Sequence, residues 1–267
     1  METHQKLLRN LRGEMRTRYV AVNQRTNPIG RDVAMLETGQ LLHVVVQYAI
    51  FPANIIGFLS AARDSAELAG WEGVVGELER NIGEERGSRS DLVGAQFKDV
   101  THYDILVSGL AQTLGANLGY TPASDLEESL RTTAAAPAMA TFVKTIESEV
   151  GNVNSAYSVG AAYALESSAV PELVIVRNIV NELCTRVNGT AMGEEGYLRR
   201  FFDIHLKDWE PGHEAGLRET TQIAITSTEL QQAFASGFHA VMKTEDALWN
   251  GLYQEIRQPE LLSKYAL

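Results

Sequence analysis

The chain has 267 residues, of which 45% are hydrophobic and 21% are charged, enough apolar material for the core of one globular domain over residues 1–267. Its 23 basic residues are outnumbered by 34 acidic ones. The resulting net charge of −11 argues against a nucleic-acid partner, because phosphate binding needs a basic surface. The single cysteine, Cys184, excludes an internal disulfide and a thiolate metal cluster.

Neither a membrane span nor an export signal is expected. A helix that crosses a bilayer needs roughly 20 consecutive apolar residues. The longest apolar stretch, 41–56, is interrupted by His43, Gln47, Pro52 and Asn54. The N-terminus shows no basic segment followed by an apolar one. These observations predict a cytoplasmic protein without a membrane partner.

In the first half of the chain, apolar residues recur every three or four positions on a charged background, the pattern of amphipathic helices. Gly87 and Gly115 are expected to end two of these helices, because glycine readily adopts the conformations that terminate them. The polar stretch 88–100 between them is predicted to be a loop. The predicted helices are 7–19, 32–58 with a bend at Pro52, 71–85 and 102–114.

The second half of the chain is predicted to be helical as well. Ser124, with Glu127 three residues later, resembles a capping box at a helix start. There is no alternation typical of strands and no internal repeat. We therefore predict an all-α bundle of about eight helices, within a range of about seven to nine. The further predicted helices are 139–150, 154–186 with Pro171 inside it, 194–209, 212–234 and 236–257.

Three of the six histidines have carboxylates close by, in segments expected to pack in the core. A helix bundle builds a two-metal site by directing Glu and His inward, where the carboxylates neutralise the cations. His43 lies in an apolar stretch and is interpreted as a hydrogen-bonded core residue, and His4 and His239 as surface or packing residues. The histidines with neighbouring carboxylates are His102, His205 and His213.

Glu166 is the most informative single residue. Its neighbours at helical spacing are almost all apolar, and a carboxylate on such a face is costly to bury unless it is paired or binds a metal. The alternative is a side chain that reaches solvent or an arginine. The neighbours at helical spacing are Val159, Ala162, Tyr163, Ala169, Val170 and Leu173.

Four segments occur in a recognisable order: Glu84-Glu85-Arg86-Gly87, His102-x-x-Ile105-Leu106, Gly160 to Glu166, and Phe201-Phe202-x-x-His205 followed by His213. This order resembles that of the haem-oxygenase-like diiron oxidases, which are relatives of the thiaminase-like and pyrroloquinoline-quinone-synthase-like helical proteins. The resemblance covers residues 81–214, about half of the chain, and it implies a haem-oxygenase-like bundle.

The resemblance also implies two Fe(II) per chain. It places Glu85 and His102 on one iron, His205, an acid and His213 on the other, and Glu166 between them. The implied ligands are Glu85, His102, Glu166, His205, Glu210 and His213.

Two of these assignments have alternatives. Glu84 competes with Glu85, which is preferred because the acid of the family lies two residues before the glycine. The family pattern His-x-x-x-Asp-x-x-His is one residue longer here. Glu210 keeps the acid-x-x-His half of it, and Asp208, three residues after His205, is the alternative.

The implied activity is that of an O2-dependent non-haem diiron oxidoreductase with an external electron donor. The expected substrate is a small carboxylate in natural-product biosynthesis, an aliphatic amino acid ahead of a fatty acid. Expected outcomes are desaturation, C–N ring closure or C–C cleavage, and for a fatty acid decarboxylation. Arg177, about three helical turns beyond Glu166, is a candidate for gripping the carboxylate. A homodimer is expected.

Two hypotheses from other classes are retained. A cofactor-free, thiaminase-like hydrolase would need an activated nucleophile, and Cys184 has no histidine at helical spacing. A metal-free binding protein would keep only the helical fold, and fold alone does not decide among these functions.

Overall fold

The computed structural model describes residues 2–120, 122–194 and 196–262. This part of the chain is helical and contains no strand, as predicted. Its helices are α1 (Glu2–Arg18), α2 (Pro28–Asp32), α3 (Thr38–Tyr48), α4 (Ile50–Leu68), α5 (Glu72–Glu85), α6 (His102–Leu114), α7 (Ser124–Thr132), α8 (Pro137–Val150), α9 (Ser155–Asn188), α10 (Tyr197–Ile204), α11 (Glu210–Ala224), α12 (Thr228–Glu255) and α13 (Pro259–Leu262).

Ten of the described helices have nine or more residues, so the predicted range of about seven to nine was slightly too low. One reason is that the predicted helix across Pro52 is two helices, which meet at Ala49. Pro52 lies in the first turn of α4, where the missing backbone donor leaves no helical hydrogen bond unmade.

Two other boundaries also differ from the predictions. Ser124 is the first residue of α7 and makes no capping hydrogen bond, so the predicted capping box is absent. The break expected near residue 235 lies at 225–227 instead, where the Ser227 side chain accepts from Leu230 N and caps α12. Helix α12 therefore continues unbroken for 28 residues.

Helix α9 is the centre of the bundle. It runs for 34 residues, from the Asn154 cap to Gly189, and Pro171 does not interrupt it. It packs against α3, α4, α8, α11 and α12. Because neighbours cover it on nearly every side, it carries apolar residues around most of its circumference.

Two stretches, 38–68 and 155–188, are long and apolar enough to cross a membrane by length and composition alone. Neither stretch contains an unbroken apolar run of that length, because a few polar residues are scattered along each helix. In the second stretch, which is α9, 72% of the apolar window is buried inside the fold, compared with 44% in the first. Burial in the bundle accounts for the composition of α9, which is consistent with a soluble protein.

Helices α9 and α12 approach each other closely at two glycines. A Cβ atom at Gly160 would overlap the carbonyl oxygen of Phe234, and one at Gly237 would overlap the carbonyl oxygen of Tyr157. Both contacts are with backbone, which cannot rotate away as a side chain can. The absence of side chains here lets the two longest helices pack backbone to backbone.

Gly160→Ala should therefore lower the free energy of unfolding by about 1–3 kcal/mol, because the helices must separate. Chemical denaturation of both proteins measures this change. Gly76→Ala is the matched control, since Gly76 is an exposed residue within α5 whose Cβ would meet nothing within 4 Å. The control should be neutral or stabilising by about 0.5–1 kcal/mol. Equal stability of Gly160→Ala and wild type would contradict the close packing.

Candidate metal centre

The six predicted ligands come together in the core from five parts of the chain. The end of α5, the start of α6, the middle of α9, the segment 205–209 and the first turn of α11 supply them. Each is at most 7% exposed, although the residues are spread over more than 120 positions of sequence. The six are Glu85, His102, Glu166, His205, Glu210 and His213.

Two overlapping sets of donors have the spacing of metal ligands. Donor atoms of Glu85, His102 and His205 lie within 4.8 Å of one another, and so do those of Glu85, Glu210 and His213. Glu85 is common to both sets. The resemblance implies His205 on the same iron as His213, whereas the structure groups His205 with His102.

Glu166 lies beside the second set of donors. Its Oε2 is 3.2 Å from His213 Nδ1, and its Oε1 accepts a hydrogen bond of 3.1 Å from Asn81. Glu210 Oε2 is 3.5 Å from the same His213 nitrogen. His213 Nδ1 therefore faces two carboxylates, and its Nε2 lies 3.4 Å from Glu84 Oε2. Asn81, which the sequence analysis did not single out, orients Glu166.

Glu84 and Glu85 occupy different environments. Glu84 accepts a hydrogen bond of 2.7 Å from Arg80 and lies 3.5 Å from Arg89. Burial would raise the pKa of Glu84, but His213 and Arg80 lower it to about 2. Its charge is thus already matched by arginine. Glu85 has no arginine partner among the described residues, its Oε1 lies 3.1 Å from His102 Nδ1, and the geometry favours it as the ligand.

The protonation states suit a cation. Burial lowers the pKa of both His102 and His205 to about 3, so both rings are neutral and have a lone pair to donate. Burial, with the neighbouring carboxylates, raises the pKa of Glu85 and of Glu210 to about 7. Negative charge is therefore crowded here without enough positive charge to balance it.

His213 responds to the same crowding in the opposite direction. Burial would lower its pKa, but the carboxylates around its ring, Glu166, Glu210 and Glu84, raise it well above the usual value. A proton on His213 supplies the positive charge that this cluster needs.

A buried ring nitrogen without a hydrogen-bond partner is a second sign that the cluster fits a metal. His102 Nε2 is buried and has no hydrogen-bond partner within the described residues. Such an atom normally finds a protein, water or metal partner. These buried His and Glu groups could hold a metal ion.

A π-helical turn at His205–Trp209 explains the extra residue before the second acid. The Glu210 backbone N–H donates to the His205 carbonyl, a five-residue step where an α-helix would take four. The wider turn brings Glu210 inward. Asp208 points outward instead, half exposed and 3.3 Å from Arg89, so the structure favours Glu210.

The π-helical turn also positions a tryptophan that the sequence analysis missed. Trp209 is fully buried, its ring stacks on His102 with centroids 3.9 Å apart, and it meets the edge of His205 at 4.5 Å. His205 Nδ1 lies 2.8 Å from the Phe201 carbonyl oxygen, where it must donate, so Nε2 is left for a metal. Trp209 directly precedes the acid of the motif, which was the available sequence signal.

The loop between α5 and α6 brings Glu85 and His102 together. Gly87 ends α5 with a φ of 104°, the left-handed stop that was predicted, and a side chain there would overlap the backbone of Val100. The Ser90 hydroxyl donates to the Val100 carbonyl at 2.7 Å, and the Thr101 side chain caps α6. These contacts hold a long loop in one path.

A cavity of about 70 Å³ lies next to the candidate ligands. That is room for a few water molecules or a small organic group. Among the described residues, no arginine or lysine lines it. Besides the candidate ligands Glu85, His102, Glu166, His205 and Glu210, its lining is Tyr48, Phe51, Pro52, Ile55, Leu106, Leu165, Ala169, Leu173 and Phe201.

Arg177 and Cys184 lie outside this site. Arg177 Nη1 is 3.5 Å from Asp203 and does not line the cavity, so the carboxylate grip considered for it has no support. Cys184 is buried, and burial raises the pKa of its thiol to about 11, which disfavours a nucleophile.

The remaining histidines have structural surroundings. His43 Nε2 lies 3.1 Å from Glu255, the hydrogen-bonded core position that was expected. His4 packs edge-on against Phe234, and His239 Nδ1 lies 2.9 Å from the Tyr19 hydroxyl.

Comparison with known proteins adds a family. The profile of DUF3865, a domain of unknown function with a solved structure, matches residues 5–255. The chain belongs to this family. No curated protein matches.

Two crystal structures of a CADD-like protein of unknown function from Nostoc punctiforme are similar to this DUF3865 chain. Both are 30% identical to it over 97% of its length. The structure at 2.00 Å resolution has a TM-score of 0.81 with all of its chain covered, and the one at 1.35 Å has 0.80 with 98% covered. They support the fold and name no activity.

Replacing the two rival acids should separate their roles. Glu210→Ala should bind one metal ion fewer per chain than wild type, because Glu210 belongs to the second donor set. Asp208→Ala should bind as many as wild type, since it removes only an exposed ion pair. Anaerobic Fe(II) titration followed by desalting and metal analysis measures both. The opposite order would show that the π-helical turn opens when metal binds.

Trp209→Leu should weaken metal binding at the Glu85, His102 and His205 donors by about 10–100-fold, the usual effect of losing a group that orients ligands. Trp209→Phe keeps an aromatic ring against His102 and should recover most of the affinity. Competition with a chelator measures the affinities, and thermal unfolding checks that both variants fold. If Leu and Phe behave alike, the stacking does not orient His102.

Proposed function

We propose that the protein is an O2-dependent non-haem diiron oxidase of the haem-oxygenase-like class. The observation that carries this proposal is the pair of buried Glu and His donor sets that share Glu85. Two cations bridged by carboxylates in a helix bundle are typical of iron sites that react with O2. We further propose a cytoplasmic location, an external electron donor and a homodimer.

The candidate ligands would hold two ferrous ions. Glu85, His102 and His205 would hold one ferrous ion, and Glu85, Glu210 and His213, with Glu166 beside them, the other. When bound, the iron supplies the electrons that activate O2 for attack on a C–H bond. Trp209 and the Phe201 carbonyl fix the two imidazoles of the first set.

Exclusion of water is the second contribution of the chain. The walls of the cavity are aromatic and aliphatic, with Phe51, Leu106 and Phe201 among them. An apolar cavity favours O2 and an alkyl group and keeps water away from a reactive oxidant. The Tyr48 hydroxyl, 3.1 Å from Glu172, directs its proton to that carboxylate rather than into the cavity.

The proposed substrate is a small carboxylate in natural-product biosynthesis, an aliphatic amino acid ahead of a fatty acid. The apolar cavity supports an alkyl portion. The proposed outcome is desaturation, C–N ring closure or C–C cleavage, and for a fatty acid decarboxylation. A thiaminase-like hydrolase finds no support in the buried, strongly basic thiolate of Cys184.

Anaerobically reconstituted protein should bind about two Fe(II) per chain. Glu85→Gln should retain neither ion at stoichiometric level, because both donor sets use Glu85. Glu172→Gln is the matched control, a buried glutamate of α9 outside the donor sets, and should bind as wild type does. Metal analysis after desalting gives the stoichiometry, and an oxygen electrode shows whether the ferrous protein consumes O2 with candidate substrates. Trace metal in the wild type, with or without substrate, would reject the proposal.

A further inference from the structure

A cleft on the other side of the metal centre reaches the same carboxylates as the cavity. It lies between α1, α9 and α11 and has a volume of about 460 Å³, compared with about 70 Å³ for the cavity. Glu166 and Glu210 line both spaces and so form the wall between them. The lining of the cleft is Arg12, Met15, Arg16, Glu166, Ser167, Val170, Pro171, Glu210, Pro211, Glu214, Ala215 and Arg218.

The two spaces differ in charge. Three arginines line the cleft, Arg12 and Arg16 from α1 and Arg218 from α11, whereas no arginine or lysine of the described chain lines the cavity. Glu166, Glu210 and Glu214 line the cleft as well, but of these two spaces only the cleft offers arginine side chains to an anionic group. Guanidinium binds carboxylate with two parallel hydrogen bonds and suits this role better than a point charge.

Arg12 and Arg218 are paired with Glu214 but retain N–H donors for a ligand. Arg218 Nη1 lies 2.9 Å from Glu214 Oε2, and Arg12 Nη1 lies 3.6 Å from Glu214 Oε1. The Tyr163 hydroxyl donates to Glu214 Oε1 at 2.7 Å and fixes the carboxylate. One acid thus serves two guanidiniums, each with five N–H donors, and the side chains of Arg12 and Arg218 remain 36% and 31% exposed.

The remaining lining suits an aliphatic group. Met15, Val170 and Pro171 line the same cleft and give it an apolar surface. A ligand with an anionic end, a cationic group and an alkyl chain matches this set of arginine, glutamate and apolar side chains. An aliphatic α-amino acid has all three: the carboxylate for the arginines, the ammonium for Glu214, and the side chain for the apolar surface.

We infer that this cleft is a recognition site for an aliphatic α-amino acid, bound by its carboxylate to Arg12 and Arg218. The inference rests on the proposed function for the reaction that follows binding, but the binding itself requires neither iron turnover nor O2. Arg12 and Arg218 would then bind the substrate carboxylate, the role for which Arg177 was the candidate in the sequence analysis.

Isothermal titration of the protein with L-valine, L-leucine and L-isoleucine, both metal-free and anaerobically loaded with Fe(II), tests the inference. At least one of the three should bind, and Arg218→Gln or Arg12→Gln should weaken that binding by about tenfold or more, the loss expected for a charge-assisted hydrogen bond. Arg177→Gln is the matched control and should bind as wild type does. Arg218→Lys retains the charge and should lie between the two if the guanidinium geometry matters.

Two further comparisons distinguish the possible ligands and show whether the ligand binds in the cleft or in the cavity. 4-Methylpentanoate lacks the ammonium of leucine and isoamylamine lacks the carboxylate, so both should bind more weakly than leucine. Equal binding of 4-methylpentanoate and leucine would overturn the amino-acid assignment. The inference concerns recognition in the cleft and not the later reaction beside the cavity, so Ala169→Leu, which narrows only the cavity, should leave binding of the amino acid unchanged.

No binding by any of the three amino acids would overturn the inference. Binding by Arg12→Gln and Arg218→Gln as tight as that of wild type would overturn it as well, and loss of binding in Ala169→Leu would then place the ligand in the cavity. Failure of the proposed function gives a different result, because amino-acid binding would persist in a protein that retains no iron.

Discussion

Excess buried negative charge is the constraint on which the rest of the site depends. Glu85, Glu166 and Glu210 lie in the core around His213, and moving carboxylates out of water is unfavourable unless positive charge compensates them. In the metal-free chain a proton on His213 supplies part of that compensation, and burial raises the pKa of Glu85 and of Glu210 to about 7, which favours their neutral forms. Two divalent cations would satisfy the same demand more fully, which is why the arrangement fits a metal centre better than a structural ion pair.

The fold meets this constraint with irregular backbone at two places. The turn at Gly87 closes α5 directly after Glu85 and returns the chain to His102. The π-helical turn at 205–209 inserts one residue between a histidine and the next acid. Regular helices would point one donor away from the centre in each case. Both irregularities are surrounded by buried side chains, so packing holds them in place.

The regular helices give different linings to the two spaces beside the metal centre. Helix α9 contributes Glu166 to the wall between an apolar cavity and an arginine-lined cleft. An apolar group and O2 are favoured on one side, and an anionic group on the other. The close contact of α9 with α12 through Gly160 and Gly237 anchors the helix that carries this wall.

The sequence by itself determined the all-helical class, most helices and the buried carboxylate Glu166, because apolar periodicity and an acid on an apolar face are local signals. The other five Glu and His donors were implied by the resemblance to the haem-oxygenase-like diiron oxidases. The sequence could not choose between Asp208 and Glu210, since that choice depends on a π-helical turn stabilised by contacts such as the Trp209 stack on His102. It did not reveal the cleft, because Arg12 and Arg218 lie on helices more than 200 residues apart and meet only at Glu214. Local spacing decides which face of a helix a residue occupies, and only tertiary packing decides what that face meets.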